Sequence, residues 1–211
     1  MRLRKNQGAR PYIESNSFAI LKPFDYKGIW AGVFGNSNPI HLELGVGRGG
    51  HFYKRALNNK NINYVGIELK DEVLISGLMN LTDGGLTNGR LIPLNIMNME
   101  GIFEKGEIKR IYINFCNPWP KLRHQKRRLT HTKFLSLYND ILAKDGEIWF
   151  KTDDKPLFED SLLYFTESGF ELIYKTYDLQ NSDFNDNIVT EYEEKFMELG
   201  YKIMFLKAKL K

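Results

Sequence analysis

The amino-acid sequence predicts an α/β fold, with a mostly parallel seven-stranded sheet, helices on both faces and an antiparallel edge strand. Three observations carry that prediction. Short apolar runs alternate with segments of helical spacing along most of the 211 residues. The first apolar run ends in a glycine-rich turn, "LELGVGRGG" (42–50), as a strand does when it passes directly into a helix. The last two runs are separated by only a loop and a short helix, which favours an antiparallel pair.

Each element can be justified in order. A polar, basic arm precedes a helix expected near residues 18–34. "PIHLELG" (39–45) is a short apolar strand, and "HFYKRALNN" (51–59) follows with helical spacing. "INYVGIEL" (62–69) reads as the second strand, and "DEVLISGLMNL" (71–81) as a helix started by a capping acid. "GRLIPLN" (89–95) and "KRIYINF" (109–115) are strands three and four, with a short helix expected over 97–103. "HTKFLSLYNDIL" (131–142) is helical, "GEIWFKT" (146–152) is the fifth strand, and "PLFEDSLLYFTESG" (156–169) is a helix closed by Gly169. "FELIYKTYDL" (170–179), a helix over "TEYEEKFMEL" (190–199) and "YKIMFLKAKL" (201–210) complete the chain. The expected organisation is a single domain overall, with a basic arm and helix over 1–37 leading into the α/β body over 38–211.

Composition bounds the function. With 42% hydrophobic residues the chain can bury a full core, and its apolar runs are strand-sized and interrupted by charge, so neither a membrane span nor a signal peptide is expected. A cytoplasmic protein is expected. Cys116 is the only cysteine, which excludes an internal disulfide, and the four histidines lack metal-ligand spacing, so no metal is expected. The net charge of +4 hides a segregation. Residues 1–10 and 119–133 hold Arg2, Arg4, Lys5, Arg10, Lys121, Arg123, Lys126, Arg127, Arg128 and Lys133 with no acid among them, so the rest of the chain is net negative. Cations gathered in this way suit a polyanion such as RNA or DNA, because phosphate contacts release counterions where the charges are concentrated.

The strand ends mark a ligand site. Gly45, Gly47 and Gly49 let the backbone turn tightly beside a ligand, although Gly45, Gly47 and Gly50 also satisfy the dinucleotide spacing G-x-G-x-x-G. Two carboxylates reduce the ambiguity. Glu68 closes the second strand, where it can accept hydrogen bonds from both hydroxyls of a ribose. Glu43, two residues before the glycines, would repel a pyrophosphate and suits a cationic ligand such as S-adenosylmethionine.

After strand four comes "NFCNPWPKLRHQKRRLTH" (114–131), an aromatic between prolines followed by the main basic run. Proline fixes the backbone, so Asn117 to Pro120 form a rigid arm able to hold a nucleobase while the cations grip the phosphates around it. Lys151 and Asp153 of "FKTDD" end strand five within reach of the same region.

These residues resemble the bacterial tRNA (guanine-N7-)-methyltransferases, whose signature joins Asp-Pro-Trp-Pro-Lys to Arg-His-x-Lys-Arg-Arg. "HLELGVGRG", "GIE", "FKTDD" and "TEYEEKF" extend the likeness in order across roughly residues 39–205. The resemblance implies a Rossmann-like class I methyltransferase that uses S-adenosylmethionine to methylate N7 of guanine 46 in the tRNA variable loop. A monomer or homodimer is expected, the sequence not distinguishing the two. The resemblance further implies donor binding by Glu43, the glycine turn, Glu68, Asn95 and Asn117. Substrate contacts are implied for Lys121, for Arg123, His124, Gln125, Lys126, Arg127 and Arg128, for Asp153, and for Thr190, Glu191, Tyr192 and Glu193. Two positions depart from the pattern: Asn117 stands where the family usually has aspartate, and Asn95 where an acid is common. Guanine N7 offers its own lone pair, so methyl transfer needs alignment and no obligatory base, and Asn117 as the catalytic residue can position but brings no charge.

Other readings stay open on the residues alone. Asn117-Pro118 also suits an amino-methyltransferase acting on adenine or cytosine, and a basic protein that has lost both acids could simply bind RNA. A cytosine-type nucleophile at Cys116 is disfavoured, because no activating partner is evident.

Overall fold

The computed structural model describes residues 8–211. Seven strands make up a mostly parallel sheet, and the chain divides into two compact units, one ending at Glu104 and the other running Lys105–Lys211.

In the first unit, β1 (Ile40–Leu44), β2 (Asn63–Glu68) and β3 (Gly89–Pro93) are parallel in the order β3-β2-β1. Every residue of β1 is buried, as expected of a parallel strand covered on both faces. Gly66 in β2 is required by packing, since a Cβ there would stand 2.5 Å from Val46 and 2.6 Å from Leu91. Helices α1 (Ala9–Ser15), α2 (Trp30–Phe34), α3 (Gly50–Asn58) and α4 (Asp71–Asp83) complete the unit.

Its N-terminal part departs from expectation. Instead of one helix over 18–34, Ala19 bridges Leu91 in parallel, with the Ile20 amide donating to the Leu91 carbonyl at 2.8 Å and the Leu91 amide to that of Phe18 at 2.9 Å. This covers the outer side of β3. Pro23 then opens a 3-10 turn (Pro23–Tyr26), Gly28 takes a φ of +75°, and only Trp30–Phe34 is α-helical. Trp30 anchors the segment, fully buried with its indole N–H donating to the Ile102 carbonyl at 3.0 Å. Conversely, α1 forms within the arm. There Arg10 pairs with Glu14 and Asp71, while Arg2, Arg4 and Lys5 lie outside the described residues. The acid expected to cap the helix at 71 is its first residue: Lys70 occupies the cap without a side-chain bond, and Asp71 and Glu72 favour the helix through its dipole. The helix expected over 97–103 is only a 3-10 turn, Ile96–Asn98.

The second unit contains β4 (Ile108–Asn114), β5 (Leu142–Thr152), β6 (Phe170–Thr176) and β7 (Met204–Leu210), ordered β4-β5-β7-β6. β4 and β5 are parallel; β7 inserts between β5 and β6 and runs antiparallel to both. α5 (Thr132–Ile141), α6 (Lys155–Glu167) and α7 (Glu191–Glu198) connect them. β5 starts four residues earlier than its apolar run suggests, directly after α5. Phe150, Phe158, Phe165 and Phe170 build the core between β5, α6 and β6, and Gly169 closes α6 at a φ of +83°.

Candidate functional site

The residues singled out in the sequence fall into two groups, one in each unit. In the first unit they gather around the turn between β1 and α3. Gly45 and Gly47 take φ angles of +77° and +59°, and nothing lies within 4 Å of where a Cβ would stand, so the turn keeps open space beside its backbone. Gly49 serves packing instead: a Cβ there would meet the Gly77 backbone of α4 at 2.6 Å.

Glu68 at the end of β2 is tied to this turn. One carboxylate oxygen accepts the Gly47 amide at 3.0 Å and the other the Lys70 amide at 2.9 Å. Each oxygen has a second acceptor position, so the group is held in place and can still receive two hydroxyls. Asn95 follows β3, and its Oδ1 accepts the Met97 amide at 3.0 Å. Glu43 is buried rather than open to a ligand along its length: His51 Nδ1 donates to its Oε2 at 2.8 Å, and Arg55 Nε donates to His51 Nε2 at 3.4 Å. The two contacts assign the imidazole tautomer, with the proton on Nδ1. His51 escaped the sequence reading because a histidine in a helix carries no local sign of a partner eight residues earlier.

The second group occupies the ends of β4 and β5. The Phe115 amide donates to the Lys151 carbonyl at 2.9 Å, so the two strand ends run on together. Beyond them the backbone is strained, with Phe115 at φ +51° and Trp119 at φ +44°. Bulky residues adopt this region at a cost of about 1–3 kcal/mol each, and only where their surroundings fix them. Asn117 Oδ1 accepts the Trp119 amide at 3.1 Å, closing a turn that leaves the side-chain NH2 as the group Asn117 can offer a ligand. Arg128 locks the turn from below. It is buried, its Nε donates to the Pro118 carbonyl at 2.8 Å, and its guanidinium pairs with Asp160. Arg128 was expected to touch RNA with its neighbours; its burial corrects this to a structural clamp.

The Trp119 ring does not stand free. His124 meets it edge-on with centroids 5.6 Å apart, and the Arg127 guanidinium lies 5.1 Å above its centroid. The basic run forms a 3-10 helix, Leu122–Arg127, that folds back over the tryptophan. Lys121, Arg123, Lys126 and Arg127 are exposed, while His124 and Gln125 are half-buried. Cys116 is half-buried with its thiol withdrawn from water, which pushes its pKa up to about 12 and leaves no thiolate for nucleophilic attack.

At the end of β5 the roles of the two acids separate. Asp154 caps α6, accepting the Leu157 amide at 2.8 Å. Asp153 is left beside it, its pKa raised first by burial and further by Asp154, with its own backbone amide opposing. Thr190 and Glu193 form a capping box at the start of α7, the Glu193 amide donating to Thr190 Oγ1 at 2.9 Å. Glu193, expected at the substrate, is fully buried against Lys151 at 2.8 Å and so cannot present its carboxylate to RNA. Glu191 and Tyr192 are exposed. Asn187 and Phe115, which contact Glu193 and Tyr192, have no role in the sequence pattern: Asn187 lies outside the motifs, and Phe115, though within the 114–131 stretch, carries no local sign of its partner near residue 192.

Comparison with known proteins decides the family. Residues 37–206 match the family described as "Putative methyltransferase". A tRNA (guanine-N(7)-)-methyltransferase of Clostridium tetani is 60% identical over 211 residues, covering all of both chains. The chain belongs to the tRNA (guanine-N(7)-)-methyltransferase family. A relative of the same name from Clostridium kluyveri is 55% identical, again over the full length of both chains. Among solved structures, the 16S rRNA methyltransferase KamB superposes with a TM-score of 0.64 at 13% identity, covering 87% of this chain and 93% of that one. The 16S rRNA (adenine(1408)-N(1))-methyltransferase from Catenulisporales acidiphilia, determined with its cosubstrate SAM, gives 0.62 at 15%, covering 90% and 92%. At such identities these likenesses establish the class I methyltransferase fold. Among the described residues, no helix is long and apolar enough to cross a membrane, and no three metal-ligating side chains cluster.

Proposed function

We propose that this chain transfers a methyl group from S-adenosylmethionine to N7 of guanine 46 in the tRNA variable loop, acting in the cytoplasm as a monomer or homodimer. The full-length likeness to clostridial enzymes named tRNA (guanine-N(7)-)-methyltransferase supports the guanine-N7 part of the reading. The cosubstrate fits the first unit, where open space beside Gly45 and Gly47 adjoins a held carboxylate, Glu68, with acceptor positions for a ribose. When bound, S-adenosylmethionine supplies an electrophilic methyl group on a sulfonium.

The protein's part is to hold and orient. Glu68 fixes the ribose, Asn95 contributes beside it, and Glu43, held by His51, favours a cationic ligand over a pyrophosphate. Asn117 presents its NH2 group, which suits the O6 acceptor of guanine and leaves N7 uncovered. Asp153, a carboxylate short of partners, is stabilised by a ligand that brings N–H donors, as the other edge of guanine does. Lys121, Arg123, Lys126 and Arg127 serve the phosphates, with His124 and Gln125 completing that surface. Thr190 acts through its cap, and Glu191 and Tyr192 face the RNA.

The amino-methyltransferase reading requires the Pro118 carbonyl to accept from an exocyclic amine. That oxygen already accepts from the Arg128 guanidinium, which weakens it in this role. Mass spectrometry of nucleosides from unmodified tRNA incubated with protein and S-adenosylmethionine tests the choice. N7-methylguanosine is expected; a methylated adenosine or cytidine in its place would overturn the reading.

A further inference from the structure

Lys151 ends β5 with its side chain only 4% exposed. Its ammonium donates to Glu193 Oε2 at 2.8 Å, to Asn187 Oδ1 at 3.0 Å and to the Ile188 carbonyl at 3.0 Å. Asn187 closes the figure by donating from Nδ2 to Glu193 Oε1 at 2.8 Å. The amide orientation is fixed by the charges it meets, its oxygen to the cation and its NH2 to the carboxylate. Glu193 also receives the Thr190 amide at 3.5 Å and lies entirely out of solvent.

Such a ring is costly to bury, and an apolar trio of similar volume would stabilise the fold at least as well. What the ring provides is position. It joins the end of β5 to the loop 187–190 and to the first turn of α7. Tyr192, the residue before Glu193, is thereby set with its ring 5.3 Å from that of Phe115 and 4.6 Å from that of Phe196, while remaining 51% exposed. Phe115 is one of the two strained residues that bracket Asn117, so the same contact braces the turn.

We propose that Lys151 is a positioning residue for RNA recognition: its buried ring with Glu193 and Asn187 holds the Thr190–Tyr192 segment, and the Tyr192 ring against Phe115, in the arrangement that receives tRNA. The inference rests on the proposed activity for its choice of RNA, but concerns binding rather than methyl transfer. Glu193 acts through this ring and not by touching substrate.

The test compares wild type with Asn187→Ala, with the apolar pair Lys151→Met/Glu193→Leu, and with the exchange Lys151→Glu/Glu193→Lys. Unmodified tRNA binding, tRNA and S-adenosylmethionine KM, and melting temperature are measured for each. The apolar pair should keep its S-adenosylmethionine KM while tRNA binding weakens about tenfold, or about 1.4 kcal/mol, and its melting temperature should fall, because Asn187 and the Ile188 carbonyl lose their partners. Asn187→Ala should lose about threefold, and the exchanged pair should not regain the binding, because it sets a carboxylate against the Ile188 carbonyl and an ammonium against the Thr190 amide. Native tRNA binding in the apolar pair and in Asn187→Ala would overturn the inference, leaving the ring a purely structural feature. Because Asn187→Ala removes no charge, it decides the matter if the paired variants fail to fold. A wild-type protein that binds tRNA but does not methylate guanine N7 would refute the proposed activity and leave this inference to be judged on binding alone; one that binds no tRNA would overturn both.

Discussion

Replacing Arg128 with alanine tests whether the Asn117–Pro120 turn is held by a clamp or by its prolines alone. Two contacts are lost. The charged donor to the Pro118 carbonyl contributes about 1.5–3 kcal/mol. The pair with Asp160 contributes less than about 1 kcal/mol, because that carboxylate is 39% exposed and returns to water. Trp119, at φ +44°, can then relax, which offsets part of the loss. The net destabilisation of about 2–3 kcal/mol corresponds to a fall in melting temperature of about 4–12 °C for a chain of this size. Tm from calorimetry should show that fall, and turnover on tRNA should drop with it, since the turn that presents Asn117 is released. Arg128→Lys should recover only part of the loss, because an ammonium cannot serve Pro118 and Asp160 with the geometry of a guanidinium fork. A melting temperature and a turnover both equal to wild type in Arg128→Ala would refute the clamp.

Other outcomes follow from the same structure. Asn117→Asp keeps an oxygen for the Trp119 amide and exchanges the NH2 that serves guanine O6 for a charge near the developing purine cation, so tRNA KM should rise with the lost hydrogen bond while turnover increases; flat or lower turnover in steady-state kinetics contradicts that. His131 caps α5 by accepting the Lys133 amide on Nδ1, and its pKa is lowered by burial and then by Lys126 and Arg128. The unfolded chain therefore binds the proton more readily, so this contribution is present above the ordinary histidine pKa and is lost as pH falls from there through the lowered folded-state value. Denaturant titrations from pH 8 to 5 should show a weaker pH dependence in His131→Asn, which keeps a cap without a titrating group. Lys126→Ala, at an exposed position, should leave melting unchanged and reduce the salt slope of tRNA binding by about 1, read from the dependence of log affinity on log salt.

Periodicity made most of the fold legible. β1, β2, β4 and α3 lie within a residue of their apolar runs, because parallel strands buried on both faces leave unbroken hydrophobic stretches. The N-terminal region departs from its helical spacing for a definite reason: its apolar residues between Phe18 and Phe34 serve a bridge to β3, a 3-10 turn and a buried tryptophan, and Pro23 and Gly28 prevent one helix from spanning it. The candidate site was legible as a set of residues, though less so as a set of roles. Arg128 and Arg127 are neighbours in one basic run, yet one is buried under Pro118 and the other lies over Trp119 in solvent. Likewise Glu191 and Glu193 share a motif, but only the second meets Lys151, forty-two residues earlier. A charge run states which ions are present; long-range pairing decides which of them remain available to a ligand.

The central claim is methyl transfer to guanine N7 at one place in tRNA. The most direct measurement incubates the protein with S-adenosylmethionine and an unmodified tRNA transcript, then maps N7-methylguanine by chemical strand cleavage. A parallel transcript carries adenine at position 46. Cleavage at guanine 46, absent from the altered transcript, is the result predicted; cleavage elsewhere, or methyl incorporation that yields no N7-methylguanine, would contradict the account.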